Sequence, residues 1–194
     1  LAALAQATQV LLPATGLPGR WAGRKQFVVL DTHFGLGHRF LATWDAWRHD
    51  PLRCEHLHFV AVAPQLPTPA DLEQAHAASP LHELAGLMLQ AWPPSTRNVH
   101  ALDLDEGGRV QLLLAVGEPA RVLASLRLQA DAVFLGDGCE PGPARALKAL
   151  GRLAAAGAVL ASACATASER AGLLTAGFAP ADFKPDTGRS QAAQ

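Results

Sequence analysis

The sequence predicts an α/β domain, a parallel sheet wound on both sides by helices. Three observations lead there. Short continuous apolar runs, Phe27–Leu30 and Ala132–Leu135 above all, read as strands covered on both faces. Segments with apolar residues at helical spacing alternate with them. Glycines and acids gather where those strands end, as ligand-binding turns of open sheets do. With 194 residues, 49% hydrophobic and 17% charged, the chain is of one-domain size and can bury a core, which excludes a disordered segment.

The elements follow in order. Ala2–Leu17 reads as an arm ending in the turn Gly16-Leu17-Pro18-Gly19. The run Phe27–Asp31 is a strand, the turn after it carries Gly35 and Gly37, and Phe40, Leu41, Trp44 and Trp47 set a helix over His38–Arg48. Leu57–Val62 is a second strand. Thr68, Pro69 and Asp71 then form a helix start, with an N-cap, a proline in the first turn and an acid. That helix runs to about Ala78, a second covers Leu81–Trp92, and Pro93-Pro94 ends it. Val99–Leu104 and Val110–Val116 flank Asp105–Gly108 as a hairpin. A helix at Pro119–Leu126, the strand Ala132–Leu135, a helix beyond Pro143, a strand at Ala158–Ala163 and a helix at Ser168–Ala176 capped by Gly177 complete the domain. No repeat or linker divides it, so the organisation is an arm over 1–24, a domain over 25–183 and a polar tail over 184–194.

The net charge of −1 argues against a basic nucleic-acid-binding domain, leaving only local patches such as Arg20, Arg24 and Lys25, a trio that also reads as a solvated loop. Cys54, Cys139 and Cys164 have neither disulfide nor zinc spacing, and a reduced cytoplasmic setting is expected. No apolar run is long enough for a membrane span, and the start lacks a secretory signal. Because Leu1 is not Met, residues upstream of it are expected. His56 and His58 share a strand face and His33 and His38 flank the glycine turn, but no acid or cysteine completes a ligand set, and no metal is expected.

Three strand ends can hold a ligand: Asp31–Gly37, Gly117-Glu118 and Gly136–Gly138. Glycine allows close backbone approach, and a helix N-terminus follows the first of them. The His33-Phe34-Gly35-Leu36-Gly37 turn falls short of the dinucleotide fingerprint, since Phe40 stands where a third glycine would fall.

The order of segments resembles the methyltransferase half of the bifunctional tRNA 5-methylaminomethyl-2-thiouridine biosynthesis (MnmC) family. There, a G-L-P-x-x-W-x-G stretch precedes a strand and E-x-G-F-G-x-G-x-N-F-L. This chain has Gly16–Gly23 with Trp21, then Asp31-Thr32-His33-Phe34-Gly35-Leu36-Gly37-His38-Arg39-Phe40-Leu41. Leu57-His58-Phe59, Gln90-Ala91-Trp92-Pro93, Glu106–Val110, Val116-Gly117 and Asp131–Leu135 continue the match, which spans about Leu4 to Phe178. The resemblance implies a Rossmann-like S-adenosylmethionine-dependent methyltransferase sheet flanked by helices. It implies methyl transfer to the aminomethyl group of the wobble uridine in tRNA. Asp31, His33, Gly35, Gly37, Gly117 and Glu118 would lie around the cofactor and Asp137 near the amine. A flavin-dependent oxidase half, fused or separate, is the implied partner.

The chain also departs from the pattern. His33 replaces the first glycine, His38-Arg39 replace Leu-Asn, and Pro119 removes a backbone donor next to Glu118. Asp137 is displaced by one residue, and the family's Asn-Pro and Met-Trp elements and its C-terminal strand pair are not found. Ala63 stands where an acid should take the ribose hydroxyls, a loss worth on the order of 1.5–3 kcal/mol. These departures carry the alternative reading, a non-catalytic interaction module that keeps the fold without the cofactor. Another nucleotide-using enzyme on the same sheet is a third reading.

Overall fold

The apolar runs pair with one another, and their side chains divide between the two faces of one sheet. The computed structural model describes residues 2–105, 107–136, 144–162 and 167–179. Its strands are β1 (Gln26–Asp31), β2 (His56–Ala63), β3 (Val99–Asp103), β4 (Val110–Val116), β5 (Ala130–Leu135) and β6 (Ala154–Ser162). They form one sheet in the order β3-β4-β2-β1-β5-β6, parallel throughout except that β3 runs antiparallel to β4. The predicted hairpin thus supplies an antiparallel edge to an otherwise parallel sheet. The chain winds outward from β1 to β2 and β4 and then returns to β5 on the other side. Strand order therefore reverses between β1 and β5, the place where open sheets open a crevice at their carboxyl ends.

Two helix layers cover the sheet. On one face lie the arm, with α1 (Ala2–Gln6), a π-helical turn (Ala7–Leu11) and α2 (Leu12–Ala14), together with α3 (His38–His49), α4 (Pro69–His76) and α5 (His82–Gln90). Leu4, Leu11 and Leu17 of the arm belong to the same buried cluster as Trp21, Phe40 and Phe59. On the other face α6 (Pro119–Ser125), α7 (Ala144–Leu153) and α8 (Ala167–Thr175) bury Leu123, Leu150 and Leu173 against Leu30, Val62 and Val133. No helix among the described residues is long and apolar enough to cross a membrane.

One strand and one pair of side chains differ from expectation for a clear reason. The last strand starts at Ala154, ahead of the expected Ala158, although Ala-Ala-Ala-Gly has no strand preference of its own. Pairing with β5 extends it, through an irregularity near Ala130 and a left-handed Gly157. Arg20 and Arg24 are also no basic patch. Arg20 donates to the carbonyls of Thr15, Asp131 and Gly157 at 3.3, 3.0 and 2.8 Å, and Arg24 pairs with the Asp131 carboxylate at 2.8 Å. Both lie over the Phe27 ring, at the amino ends of the strands and away from the crevice.

Candidate functional site

The glycine turn sits at the carboxyl end of β1 and is held on every side. Asp31, 1% exposed, accepts from the His33 amide and from Arg39 Nη1, both at 3.0 Å on Oδ1. Thr32 donates its amide to Phe134, and its hydroxyl accepts from the Gly136 amide at 2.8 Å, which ties the turn to β5. Phe34 donates to Val62 at 2.8 Å, which ties it to β2. Gly35 and Gly37 take left-handed conformations, φ 57° and 79°. At Gly37 a Cβ would lie 2.9 Å from the Phe34 ring, so both conformation and space require glycine there.

One consequence of this bonding is chemical. The amides of Thr32, His33, Phe34 and Gly37 are spent inside the protein. Those of Gly35, Leu36 and His38 have no protein partner among the described residues. They flank the uncapped start of α3, where Gly37 has no side chain to offer, so partly positive donors remain for a ligand.

His33 has a place although it replaces a glycine. No residue other than glycine has positive φ among the described residues, so the turn does not need freedom at this position. Its side chain lies between the glycine turn and β5, where a Cβ on Gly136 would approach His33 Cβ to 2.4 Å. Asp31, His33, Gly35, Gly37 and Gly136 are therefore brought together at the switch point. Asp137 lies outside the described residues.

Gly117 and Glu118 stand two strands away, about 10 Å across the sheet by strand spacing, at the end of β4. Gly117 donates to Ala63 at 2.9 Å. Glu118 caps α6, accepting from Ala120 at 3.0 Å and Arg121 at 2.9 Å. Pro119 is the first residue of that helix, a position whose amide finds no intrahelical partner in any case, so its missing donor costs little. Between Glu118 and the glycine turn, β2 ends in buried Ala63 and provides no acid.

Sequence reasoning missed three residues here. Arg39 is buried and paired with Asp31. Trp92 stacks on Phe34 at 5.7 Å and donates to the Pro67 carbonyl, pinning the turn against the loop after β2. His76, 2% exposed at the end of α4, bonds the Leu36 carbonyl at 2.8 Å and has the His38 ring against it at 4.7 Å. Burial, and secondarily His76, pushes the His38 imidazole down to about 4, so it is neutral at neutral pH.

Other candidates place no chemistry elsewhere. His56 and His58 stack at 6.4 Å on a partly exposed strand face, and no group of three metal-ligating side chains occurs among the described residues. Cys54 is buried and its thiol is pushed up by that burial, which makes it unreactive. A cavity of about 570 Å³ at the amino end of β5 is lined by Arg127 and Arg152, whose guanidiniums are spent on the carbonyls ending α6.

Comparison with known proteins gives the family. A profile of the S-adenosyl-L-methionine-dependent methyltransferase family Methyltransf_30 matches residues 79–192. The chain is 52% identical over 182 residues to the tRNA 5-methylaminomethyl-2-thiouridine biosynthesis bifunctional protein MnmC of Methylibium petroleiphilum, covering 91% of this chain and 28% of that protein. It is 46% identical to the protein of the same name from Aromatoleum aromaticum, over 90% of this chain and 28% of that protein. It thus spans little more than a quarter of the length of these relatives. Among solved structures, MNMC2 from Aquifex aeolicus superposes with a TM-score of 0.70 at 21% identity, over 91% of this chain and 55% of that one, and so shares the fold. A doubly wound sheet with a glycine turn at its switch point, relatives at 46–52% identity and a family profile over more than half the sequence converge on one assignment: the chain belongs to the S-adenosyl-L-methionine-dependent methyltransferases.

Proposed function

We propose that this chain transfers a methyl group from S-adenosylmethionine to the aminomethyl nitrogen of the wobble uridine in tRNA, in the cytoplasm. The reading is carried by the amides of Gly35, Leu36 and His38, which have no protein partner among the described residues, on a turn whose glycines keep side chains out of the way. Bound there, the cofactor supplies a sulfonium-activated methyl group. The chain's own part is to hold the cofactor still and to present an unprotonated amine to it.

The turn amides fit a carboxylate or hydroxyls. Asp31 acts behind the turn, fixing the His33 amide and Arg39. Gly117 and Glu118 border the far side, with Glu118 holding the start of α6. Asp137, directly after Gly136, is assigned to the amine. Ala63 leaves the ribose without an acid, so affinity rests more heavily on the backbone donors. The relatives are named bifunctional, and a flavin-dependent oxidase, fused or separate, is the partner proposed.

Calorimetric titration with S-adenosylmethionine and S-adenosylhomocysteine tests the cofactor site. Micromolar binding is expected, followed by transfer of labelled methyl to tRNA carrying the unmethylated aminomethyl group. No heat at millimolar ligand would overturn the enzyme reading and leave a scaffold without its cofactor.

A further inference from the structure

We infer that His76 is a positioning residue of the cofactor site: it holds the Leu36 carbonyl so that the neighbouring turn amides face outward. The inference rests on the methyltransferase reading above and adds a residue outside the motifs that carry the resemblance.

The argument starts from what the imidazole does. Leu36 stands between the two left-handed glycines, and its carbonyl can only accept, so His76 Nε2 is the donor at 2.8 Å. That leaves Nδ1, which is buried without a hydrogen-bond partner among the described residues. An unpartnered buried nitrogen is costly, and an aliphatic side chain would fill the same space without the cost. What the histidine provides in return is the bond to the turn.

That bond fixes a peptide plane. Gly35 and Gly37 give the segment unusual freedom, and a Gly-Leu-Gly turn with a free carbonyl could flip its central peptides. Locking the Leu36 carbonyl toward α4 holds the next amide, that of Gly37, toward Phe34, with which it bonds at 3.0 Å. The amides of Gly35, Leu36 and His38 then remain as the donors for a ligand. The His38 ring, first in α3 and neutral, packs on His76 at 4.7 Å, so the grip reaches both sides of the turn. Preorganised donors bind without first being ordered, and loss of the lock appears as lost affinity.

Two amide side chains of different reach separate the roles. In His76→Gln the amide nitrogen reaches the position of Nε2, whereas in His76→Asn it reaches only that of Nδ1. Affinity for S-adenosylhomocysteine is measured by calorimetry on the wild-type chain and both variants, with the melting temperature of each. His76→Gln is expected within about threefold of wild type and His76→Asn weaker by about tenfold or more, the worth of one lost bond. Equal affinity of the two variants overturns the inference, even if both melt early, because a purely structural histidine would not distinguish them. Absence of binding by the wild-type chain would instead overturn the methyltransferase reading itself.

Discussion

Gly136 has no room for a side chain because His33 has taken it. A Cβ there would stand 2.4 Å from His33 Cβ, with Thr32 Oγ1 at 3.4 Å. Gly136→Ala is expected to cost about 1–3 kcal/mol, as overpacking does in tight sites. Adding His33→Gly should return most of that loss, and urea denaturation of the two single variants and the double variant measures it. A double variant no more stable than Gly136→Ala would show that the clash lies elsewhere. The same residues show what the sequence made legible. Asp31, His33, Gly35 and Gly37 were found because a strand, an acid and two glycines lie within a few positions of each other. His33 stands where the family pattern has its first glycine. The turn accommodates it at negative φ, which only the backbone could reveal.

At the scale of elements, α4 shows how a local signal leads to a distant effect. Thr68 caps the helix as the sequence predicts, and Asp71, the acid expected in the first turn, completes a capping box, with the Asp71 amide on Thr68 Oγ1 at 3.2 Å and the Thr68 amide on the carboxylate at 3.0 Å. Bonds from the Thr68 hydroxyl and amide hold the Asp71 carboxyl below its usual range. Its contribution is therefore present at neutral pH and lost as the carboxyl protonates in acid. Thr68→Ala is expected to cost about 1 kcal/mol in thermal melts near neutral pH. The difference from wild type should shrink as pH falls through the acid range, and a constant difference would argue against the carboxylate's part. What the sequence did not disclose is the use of this helix. It ends on His76, which reaches back to a turn 40 residues earlier in the chain.

Over the whole molecule, two groups tie distant parts together. Arg20 bonds the arm to β5 and β6 through the carbonyls of Asp131 and Gly157, 111 and 137 residues away, and braces the arm itself at the Thr15 carbonyl. Arg20→Met should lower stability by about 1.5–3 kcal/mol and speed amide exchange in the arm before it does so in β1. Uniform exchange across both would show that the arm is not separately held. His38 couples stability to pH. Its folded value of about 4 lies below the ordinary 6.5, so the unfolded chain takes up a proton that the folded chain refuses. This group leaves stability unchanged above about pH 6.5 and subtracts from it progressively as pH falls toward 4. His38→Gln should flatten that part of a melting-temperature profile, while an unchanged slope would assign the acid sensitivity to other groups.

The sequence by itself determined the strands, the glycine turn, the start of α4 and the hairpin, because each is set by neighbours a few residues apart: short continuous apolar runs, glycine's access to positive φ, a hydroxyl residue just before a helix-starting proline. Tertiary structure decided what long-range contact sets. It turned Arg20 and Arg24 from a loop patch into ties around Asp131. It buried Asp31 against Arg39, extended β6 through an alanine run, and put His76 behind the glycine turn. No local pattern marks those roles, since each depends on which carbonyl, ring or carboxylate the packed sheet brings within hydrogen-bond reach.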